Sequence, residues 1–318
     1  MTQPIRFDDR VAIVTGAGGG LGRTYALELA ARGAAVVVND LGGTFDGKGS
    51  SGAMADAVVA EVRQAGGRAV PSYDSVSTSV GGQAIVQAAM DHFGRVDVLV
   101  SNAGTLRNAP IDELPDETID AMLEVHLKGG FNVSRPAFRQ MKKQGYGRIV
   151  LASSAAGMLG NHQQAAYGAA KAGLVGLMNV LSLEGAEHGV KANALLPTAM
   201  SRMGAAMDDK LLQAAGAIFA SLGEKTGNTP DPSFVTPLVV YLCSAACKSS
   251  HGIYSATLGR YARVFLSIGK GWVGPRLAPA TADELAAHWA EVCSKAGAEE
   301  VGSLLGEYEL LTKQLSAL

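Results

Sequence analysis

Short apolar runs alternate along the chain with longer stretches in which apolar residues recur every three or four positions. The short runs are rich in Val, Ile, Leu and Ala, which is typical of strands buried on both faces of a sheet. These runs predict strands at Val11–Val14, Ala35–Asn39, Arg68–Ser72, Val96–Val100, Arg148–Ala152, Val190–Leu195 and Gly252–Leu258.

The longer stretches have the period of helices that cover such a sheet. They predict helices at Leu21–Arg32, Gly52–Ala65, Thr78–Phe93, Asp116–Lys143, Gln163–Glu187 and Pro232–Ala246. Regular alternation of strands and helices is typical of βαβ units with right-handed crossovers. The sequence therefore predicts an α/β fold with a single Rossmann-like, doubly wound parallel sheet and helices on both faces.

Three segments depart from this alternation. Residues 197–231 follow the sixth strand without a clear strand pattern, and a connection of that length predicts a substrate lid. After a turn at Gly259-Arg260, the run Tyr261–Leu266 predicts an extra edge strand. The tail predicts one or two amphipathic helices. We therefore expect one domain over residues 1–274 and a C-terminal helical extension over residues 275–318.

Composition narrows the class of protein. Of the 318 residues, 47% are hydrophobic and 18% are charged, which favours a large packed core over disorder. A net charge of −2 argues against a nucleic-acid or membrane-surface partner. The cysteines are Cys243, Cys247 and Cys293, whose odd number and spacing predict free thiols and no metal site. The N-terminus lacks a signal-peptide pattern, and we expect a cytoplasmic protein without a membrane span.

A glycine-rich turn joins the first predicted strand to the first helix, with the sequence Thr-Gly-Ala-Gly-Gly-Gly-Leu-Gly. Glycines let a backbone turn sharply and approach a pyrophosphate that rests on a helix N-terminus. Glycines also serve ordinary turns, so the position between strand and helix carries the prediction. The candidate dinucleotide-binding residues of this turn are Gly16, Gly18, Gly20, Leu21 and Gly22.

Asp40 ends the second predicted strand, 18 residues after Gly22. A carboxylate at that place accepts hydrogen bonds from the adenosine ribose hydroxyls and repels a 2′-phosphate. No Lys or Arg lies within the glycine turn, and none follows Asp40 before Lys48. We therefore predict NAD rather than NADP, the alternative being that Asp40 is an ordinary loop residue.

Tyr167 and Lys171 lie four residues apart in a predicted helix, so their side chains emerge on one face. A free tyrosine has a pKa near ~10, and a neighbouring ammonium favours the phenolate that general-base catalysis needs. Ser154 lies 13 residues before Tyr167, just past the fifth strand, where its hydroxyl would orient a substrate oxygen. The pair alone also arises by chance, but chance is a poor explanation once the serine, the glycine turn and an Asn-Ala-Gly turn accompany it.

The motifs Thr-Gly-x-x-x-Gly-x-Gly, Asn-Ala-Gly and Ser…Tyr-x-x-x-Lys, in this order and spacing, resemble the short-chain dehydrogenase/reductase family over residues 6–258. The resemblance implies catalytic roles for Ser154, Tyr167 and Lys171, the last two also contacting the cofactor. It further implies cofactor-binding roles for Asp74, Ser75, Asn102, Ala103, Gly104, Pro197 and Thr198.

The chain departs from the family pattern at His126, where many members have Asn. That Asn kinks its helix and offers a backbone carbonyl to a water bound by the lysine. His126 retains a carbonyl, so the water relay is one interpretation. The other interpretation is a structural imidazole in the core, satisfied by one hydrogen bond.

Further motifs resemble the (3R)-hydroxyacyl-CoA dehydrogenase unit of peroxisomal multifunctional enzymes of type 2. They are Asn39–Gly43 with the insert through Ser51, Tyr73–Val76, Val125–Leu127, Ser201–Met203 and Gly271–Gly274. The resemblance implies NAD-dependent oxidation of a secondary alcohol, above all a 3-hydroxyacyl-CoA from fatty acids or sterol side chains. A 17β-hydroxysteroid substrate and a non-catalytic NAD sensor are the alternatives, and substrate profiling separates them.

The predicted helix that contains Tyr167 is small or apolar on nearly every face. Such a helix must be covered on all sides, in part by another subunit. We therefore expect a homodimer or homotetramer.

Overall fold

The computed structural model describes residues 3–44, 47, 49–199, 209–227, 229–275 and 277–316. Part of the predicted lid, residues 200–208 and 228, lies outside the described residues, as do Lys48 and the Ser201–Met203 motif. The chain forms two compact units, Met1–Arg263 and Val264–Leu318. The domain boundary expected at residue 274 stays a prediction.

The first unit contains an eight-stranded sheet in the order β3-β2-β1-β4-β5-β6-β7-β8. The first seven strands pair in parallel, which confirms the predicted doubly wound fold. The strand bounds are β1 Val11–Thr15, β2 Ala35–Asn39, β3 Arg68–Ser72, β4 Val98–Ser101, β5 Gly147–Ala152, β6 Val190–Thr198, β7 Gly252–Thr257 and β8 Arg260–Val264.

Helices cover the sheet because its central strands are buried on both faces. Their bounds are α1 Gly20–Ala31, α2 Ala53–Gln64, α3 Ser79–Phe93, α4 Asp116–Met122, α5 Gly129–Gln144, α6 Ala155–Leu159, α7 Ala165–Gly185, α8 Asp209–Thr226 and α9 Thr236–Cys243. Short 3₁₀ turns lie at Ile111–Glu113, Ala186–His188 and Pro232–Phe234. Helix α8 lies within the segment predicted as a lid.

The register of the sheet brings the predicted site residues to one edge. Thr15, the last residue of β1, pairs with Asn39, the last residue of β2. On the other side of β1, Val14 pairs with Val100, one residue before the end of β4. The turns after these three strands therefore meet where the strand order reverses, between β1 and β4, which is where open α/β sheets bind ligands.

Two predicted boundaries are wrong for identifiable reasons. Strand β4 begins at Val98 rather than Val96, because the Gln144 side chain bonds both the Val96 N–H and its carbonyl in place of a neighbouring strand. The last predicted helix, Pro232–Ala246, is a 3₁₀ turn followed by α9. That helix ends early because Ser244 is extended and its hydroxyl donates to the Tyr241 carbonyl.

The predicted edge strand exists as β8, but the turn before it is Leu258-Gly259 rather than Gly259-Arg260. Both turn residues have positive φ, +51° and +83°, as in the type I′ turns that join two antiparallel strands.

The long helix predicted over Asp116–Lys143 is unbroken over that range, but it is not α-helical throughout. Residues Leu123–Lys128 form a π-helical segment between α4 and α5.

Helix α7 is the longest helix of the first unit among the described residues. Together with the 3₁₀ turn that follows it, it is long and apolar enough to cross a membrane, but half of that stretch is buried, and α7 packs against β6 as a core helix does. Val180 and Leu183 remain about half exposed on its outer face. The predicted oligomer would cover such side chains, and it stays a prediction.

The second unit is built from short elements. Strands β9, Ser267–Ile268, and β10, Glu299–Glu300, pair antiparallel. Its described helices are α10 Ala282–Ala287, α11 Trp289–Val292 and α12 Leu304–Ser316. The ring of Trp272 stacks on His288, with 4.3 Å between ring centres. The tail is thus helical in large part, with an additional strand pair that the sequence did not indicate.

Candidate active site

A groove of about 390 Å³ opens at the carboxyl edge of the sheet, at the point where the strand order reverses. Its walls come from the turns after β1, β2, β3 and β4 and from the π-helical segment. The predicted cofactor residues that line it are Gly16, Gly20, Leu21, Asp40, Asp74, Ser75, Asn102, Ala103 and Gly104. The geometry therefore assembles most of the predicted binding residues around one opening.

Two other predicted glycines support the groove without lining it. A Cβ on Gly22 would overlap the Gly16 carbonyl oxygen, so this glycine allows α1 to pack closely on the turn. A Cβ on Gly18 would lie 2.8 Å from Oδ2 of Asp40. Gly16 and Gly20 have positive φ, +65° and +50°, which a glycine adopts at low cost. At Gly16, Gly18 and Gly22 the close packing leaves no room for a side chain.

The turn fits a pyrophosphate. Helix α1 begins at Gly20, and its first turn contains no acidic side chain. Its first N–H groups lack partners within the helix and carry the positive end of the helix dipole. Gly19, Gly20 and Leu21 all line the groove, so a bound phosphate would meet backbone N–H groups there.

Asp40 follows β2, and its carboxylate is held at the rim of the groove. Oδ2 accepts a hydrogen bond from Gly18 N at 2.8 Å, and Oδ1 accepts one from Gly42 N at 2.7 Å. The carboxylate is therefore fixed against the glycine turn. Each oxygen has two lone pairs, so both retain capacity to accept from a ligand.

Thr15 is a structural residue of the site that sequence reasoning did not single out. Its buried hydroxyl oxygen accepts hydrogen bonds from the backbone N–H groups of Asn102 and Ala103, both at 3.0 Å. The Asn102 side chain in turn donates to the Thr15 carbonyl at 3.1 Å. These bonds join the end of β1 to the turn after β4. The threonine at the start of the glycine motif was the sequence feature from which this role could have been predicted.

Asn39 plays a comparable part at the ends of β2 and β3, and sequence reasoning gave it no role. Its buried side chain donates to the carbonyls of Ser72 and Asp74, at 3.2 and 2.9 Å. The Ser72 hydroxyl donates to the Asp74 carboxylate at 3.2 Å. Asp74 and Ser75 are thereby held at the wall of the groove.

The three predicted catalytic residues lie at the same edge of the sheet. Ser154 caps α6, and its hydroxyl oxygen accepts from Ala156 N at 3.1 Å. Tyr167 lies in the first turn of α7, close enough to Ser154 for that side chain to affect the pKa of its phenol. Lys171 lies one turn further on the same helix and is buried.

Burial governs the ionisation of this pair. It raises the pKa of Tyr167, an effect that the nearby Ser154 hydroxyl partly offsets. Burial also lowers the pKa of Lys171 to about 7. The lysine Nζ donates to the Ala152 carbonyl at 2.5 Å and lies 5.6 Å from the centre of the Tyr167 ring. The sequence suggested that the ammonium lowers the tyrosine pKa, whereas in the structure desolvation by burial has the largest effect on the pKa of both groups.

His126 lies in the π-helical segment and packs against Tyr167. The two ring centres are 5.1 Å apart, and the rings are nearly perpendicular, at 88°. Its Nε2 lies 2.7 Å from the Thr105 carbonyl oxygen. A Cβ on Gly104 would overlap this imidazole, so the glycine is needed here to leave space for the histidine.

Pro197 and Thr198 lie at the end of β6, where they pair with Ala256 and Thr257 of β7. The Thr198 hydroxyl accepts from the Thr257 hydroxyl at 3.1 Å. Neither residue is among the described residues that line the groove, although both lie at the same edge of the sheet. Their predicted contact with the cofactor stays a prediction.

The family assignment rests on the match of the short chain dehydrogenase profile to residues 10–212, which is more than half of the chain. The fold and the residues assembled at the groove agree with it. The chain belongs to the short-chain dehydrogenase/reductase family of oxidoreductases, whose members typically use a nicotinamide cofactor.

Similar proteins differ in how much of their own length this chain matches. A protein of Mycobacterium tuberculosis named as a short-chain type dehydrogenase/reductase is 47% identical over 92% of this chain and 97% of its own length. The mouse peroxisomal multifunctional enzyme type 2 is 41% identical over 94% of this chain but only 39% of its own length. The full-length structure of the Drosophila melanogaster enzyme of that name matches 99% of this chain and 51% of its own, with a TM-score of 0.77 and 34% identity.

We predict that Thr15→Val lowers the free energy of unfolding by about 2 kcal/mol, because it leaves two buried N–H groups without an acceptor. Chemical denaturation measures this change. Thr15→Ser keeps the hydroxyl and is the matched control, expected to lose much less. Equal stability of the valine variant and the wild type would show that the joint between β1 and β4 does not depend on this hydroxyl.

Proposed function

We propose that this protein is an NAD-dependent dehydrogenase that oxidises a secondary alcohol to a ketone. The observation that carries the proposal is the placement of the Ser154 hydroxyl, the Tyr167 phenol and the buried Lys171 together at the carboxyl edge of the sheet, with the lysine Nζ 5.6 Å from the centre of the Tyr167 ring. A hydroxyl pair of this kind binds an alcohol oxygen from two sides. The lysine supplies the positive charge that a phenolate needs.

The proposed cofactor fits the groove. The backbone N–H groups at the start of α1 would hold the pyrophosphate, and Asp40 would accept from the adenosine ribose hydroxyls. The fixed carboxylate beside Gly18 would also repel a 2′-phosphate, which supports NAD over NADP. When bound, the nicotinamide supplies an acceptor for the hydride that leaves the alcohol carbon.

The residues of the chain would handle the proton. Ser154 donates to the substrate oxygen and orients it, while the Tyr167 phenolate removes the hydroxyl proton. Lys171, when charged, stabilises that phenolate. Burial raises the pKa of Tyr167, so formation of the phenolate needs nearby positive charge, which Lys171 and the oxidised nicotinamide would supply.

For the substrate we propose a (3R)-3-hydroxyacyl-CoA. The support is the likeness to multifunctional enzymes of type 2 and to a yeast enzyme named hydratase-dehydrogenase-epimerase, 43% identical over 82% of this chain and 27% of its own length. A hydratase creates a hydroxyl group that a dehydrogenase can then oxidise. Because this chain spans only part of those relatives, their wider activities are not transferred to it. A cytoplasmic location also stays a prediction.

The direct experiment measures formation of reduced nicotinamide by the purified protein with NAD or NADP. The substrates are 3-hydroxyacyl-CoA esters of increasing bulk, in both configurations, and a 17β-hydroxysteroid. We expect turnover with NAD and the (3R) esters. Turnover with the steroid alone would favour the hydroxysteroid alternative, and NAD binding without any turnover would favour the sensor.

Tyr167→Phe should reduce kcat about 10²- to 10⁴-fold, because it removes the proposed acid/base group and little else. NAD binding, measured by titration calorimetry, should be largely retained. Tyr73→Phe is the matched control: that phenol is 45% exposed and bonds Asp56, away from the catalytic trio. Full turnover by the Tyr167 variant would refute the assignment.

Asp40→Ser should raise the KM for NAD about tenfold or more, since a charged acceptor for the ribose hydroxyls is lost. The KM for NADP should change less or fall. Asp40→Asn removes the negative charge that would repel a 2′-phosphate but keeps an oxygen that can accept from Gly18 N. Comparison of the two variants therefore separates the effect of the charge from the effect of the hydrogen bond to the glycine turn. An unchanged ratio of NAD to NADP efficiency in both variants would place cofactor selectivity elsewhere.

A further inference from the structure

A loop between β2 and α2 forms one side of the groove. The two ends of this loop are Leu41 and Ser51, and the Ser51 N–H donates to the Leu41 carbonyl at 2.9 Å. A Cβ on Gly42 would overlap the Ser51 carbonyl oxygen, so the ends of the loop are packed tightly together. A surface loop of this length whose ends are in contact is an Ω-loop, a class that frequently carries function.

The tip of this loop reaches the opposite wall of the groove. A Cβ on Gly47 would lie 3.2 Å from Cγ2 and 3.9 Å from Cβ of Thr105, which belongs to the turn after β4. Leu41, Gly43, Thr44 and Gly47 line the groove from the side of β2, and Thr105 lines it from the side of β4. The loop therefore brings the two walls into contact.

The order of the strands places the glycine turn under this contact. Strand β1 lies between β2 and β4, so a loop that starts at β2 and touches the turn after β4 must cross the turn after β1. That turn contains Gly19 and Gly20, where α1 begins and where the pyrophosphate of the proposed cofactor would rest. A dinucleotide in the groove would therefore have the glycine turn on its inner side and the loop on its outer side.

Movement of the loop would cost little free energy. None of its described residues is buried, so few packed contacts are lost when it moves. Gly42, Gly47 and Gly49 have positive φ, +73°, +87° and +73°, and glycine accepts large changes of backbone angle. Because Leu41 and Ser51 hold the ends together, the tip is the part that would swing away from the groove.

We propose that the loop from Leu41 to Ser51 is a strap that closes over the bound dinucleotide, with Gly47 resting on Thr105, and opens to admit and release the cofactor. The proposal rests on the proposed function, because the ligand under the strap is the proposed NAD. Opening of the strap then limits the rate at which the cofactor exchanges, as lids commonly do for their ligands.

A reversible cross-link between the tip and the wall tests the strap directly. Gly47→Cys combined with Thr105→Cys would place the two Cβ atoms 3.9 Å apart. Disulfides have Cβ atoms about 3.5–4.5 Å apart, so mild oxidation should join them. The variant also carries Cys293→Ser, which removes the exposed native thiol, while Cys243 and Cys247 are buried.

The rates of NADH binding and release give the result. NADH bound before oxidation should dissociate at least about 100-fold more slowly from the cross-linked protein than from the same protein after reduction with dithiothreitol. Oxidation before mixing should slow the association of NADH to a similar extent. Stopped-flow fluorescence of NADH, displaced by excess NAD, measures both rates.

Each single-cysteine variant, oxidised in the same way, is the control, and its rates should not respond to the oxidant. Equal rates in the oxidised and reduced double variant would overturn the proposal. Failure of the two thiols to join would also overturn it, because the tip would then not rest on Thr105.

A second pair of variants tests the contact without a cross-link. Gly47→Val would force a branched side chain against Thr105 and should raise the dissociation rate of NADH about tenfold. Gly49→Val is the matched control, since Gly49 also has positive φ but a Cβ there meets no atom of the described residues within 4 Å. Its rate should stay within about threefold of the wild type. Equal effects of the two substitutions would indicate backbone strain alone and would refute the strap.

The two proposals can fail separately. If the cross-link slows the release of NADH but no alcohol is oxidised, the proposed dehydrogenase fails and the strap stands. If NAD-dependent turnover is found but the cross-link leaves the exchange of NADH unchanged, the function stands and the strap is refuted. If the wild-type protein binds no NADH, both proposals fail.

Discussion

The hydrogen bonds of the Thr15 hydroxyl join the end of β1 to the turn after β4, and the geometry of the site depends on that joint. In an open parallel sheet the strand order reverses at one place, and the turns on either side of it diverge. The opening that results can bind a ligand only if its two walls keep a fixed separation. The Thr15 hydroxyl makes this connection from the end of β1, and the Asn102 side chain adds a hydrogen bond back to the Thr15 carbonyl.

A lysine is buried at the same edge of the sheet, and the burial of its charge costs free energy. Lys171 is buried, and burial lowers its pKa from the ordinary lysine value of 10.5 to about 7. An unfolded chain would bind the proton more tightly, so this lysine disfavours folding fully below pH 7 and ceases to do so above pH 10.5. The difference corresponds to on the order of 5 kcal/mol at neutral pH and below. The large apolar core around β1 and β2 offsets that cost.

The sequence predicted the fold class and the residues around the groove because both depend on local patterns. Buried parallel strands are continuous apolar runs, and glycine turns and Tyr-x-x-x-Lys pairs are contiguous in sequence. The parts that it did not predict depend on contacts between distant residues. Gln144 displaces the start of β4 from 48 positions away, and Thr15 reaches Asn102 across 87 positions. No local pattern encodes the π-helical segment, which takes its position from packing against α7.

The π-helical segment also explains how the His126 side chain fits beside Tyr167. A π turn changes the spacing of side chains along a helix, which alters the direction in which His126 leaves its backbone. The imidazole is then accommodated by the absent side chain of Gly104 and anchored by the Thr105 carbonyl. Three local features thus serve one side chain beside Tyr167. A residue that merely filled space would need none of them, since an aliphatic side chain packs without an acceptor and leaves no buried lone pair.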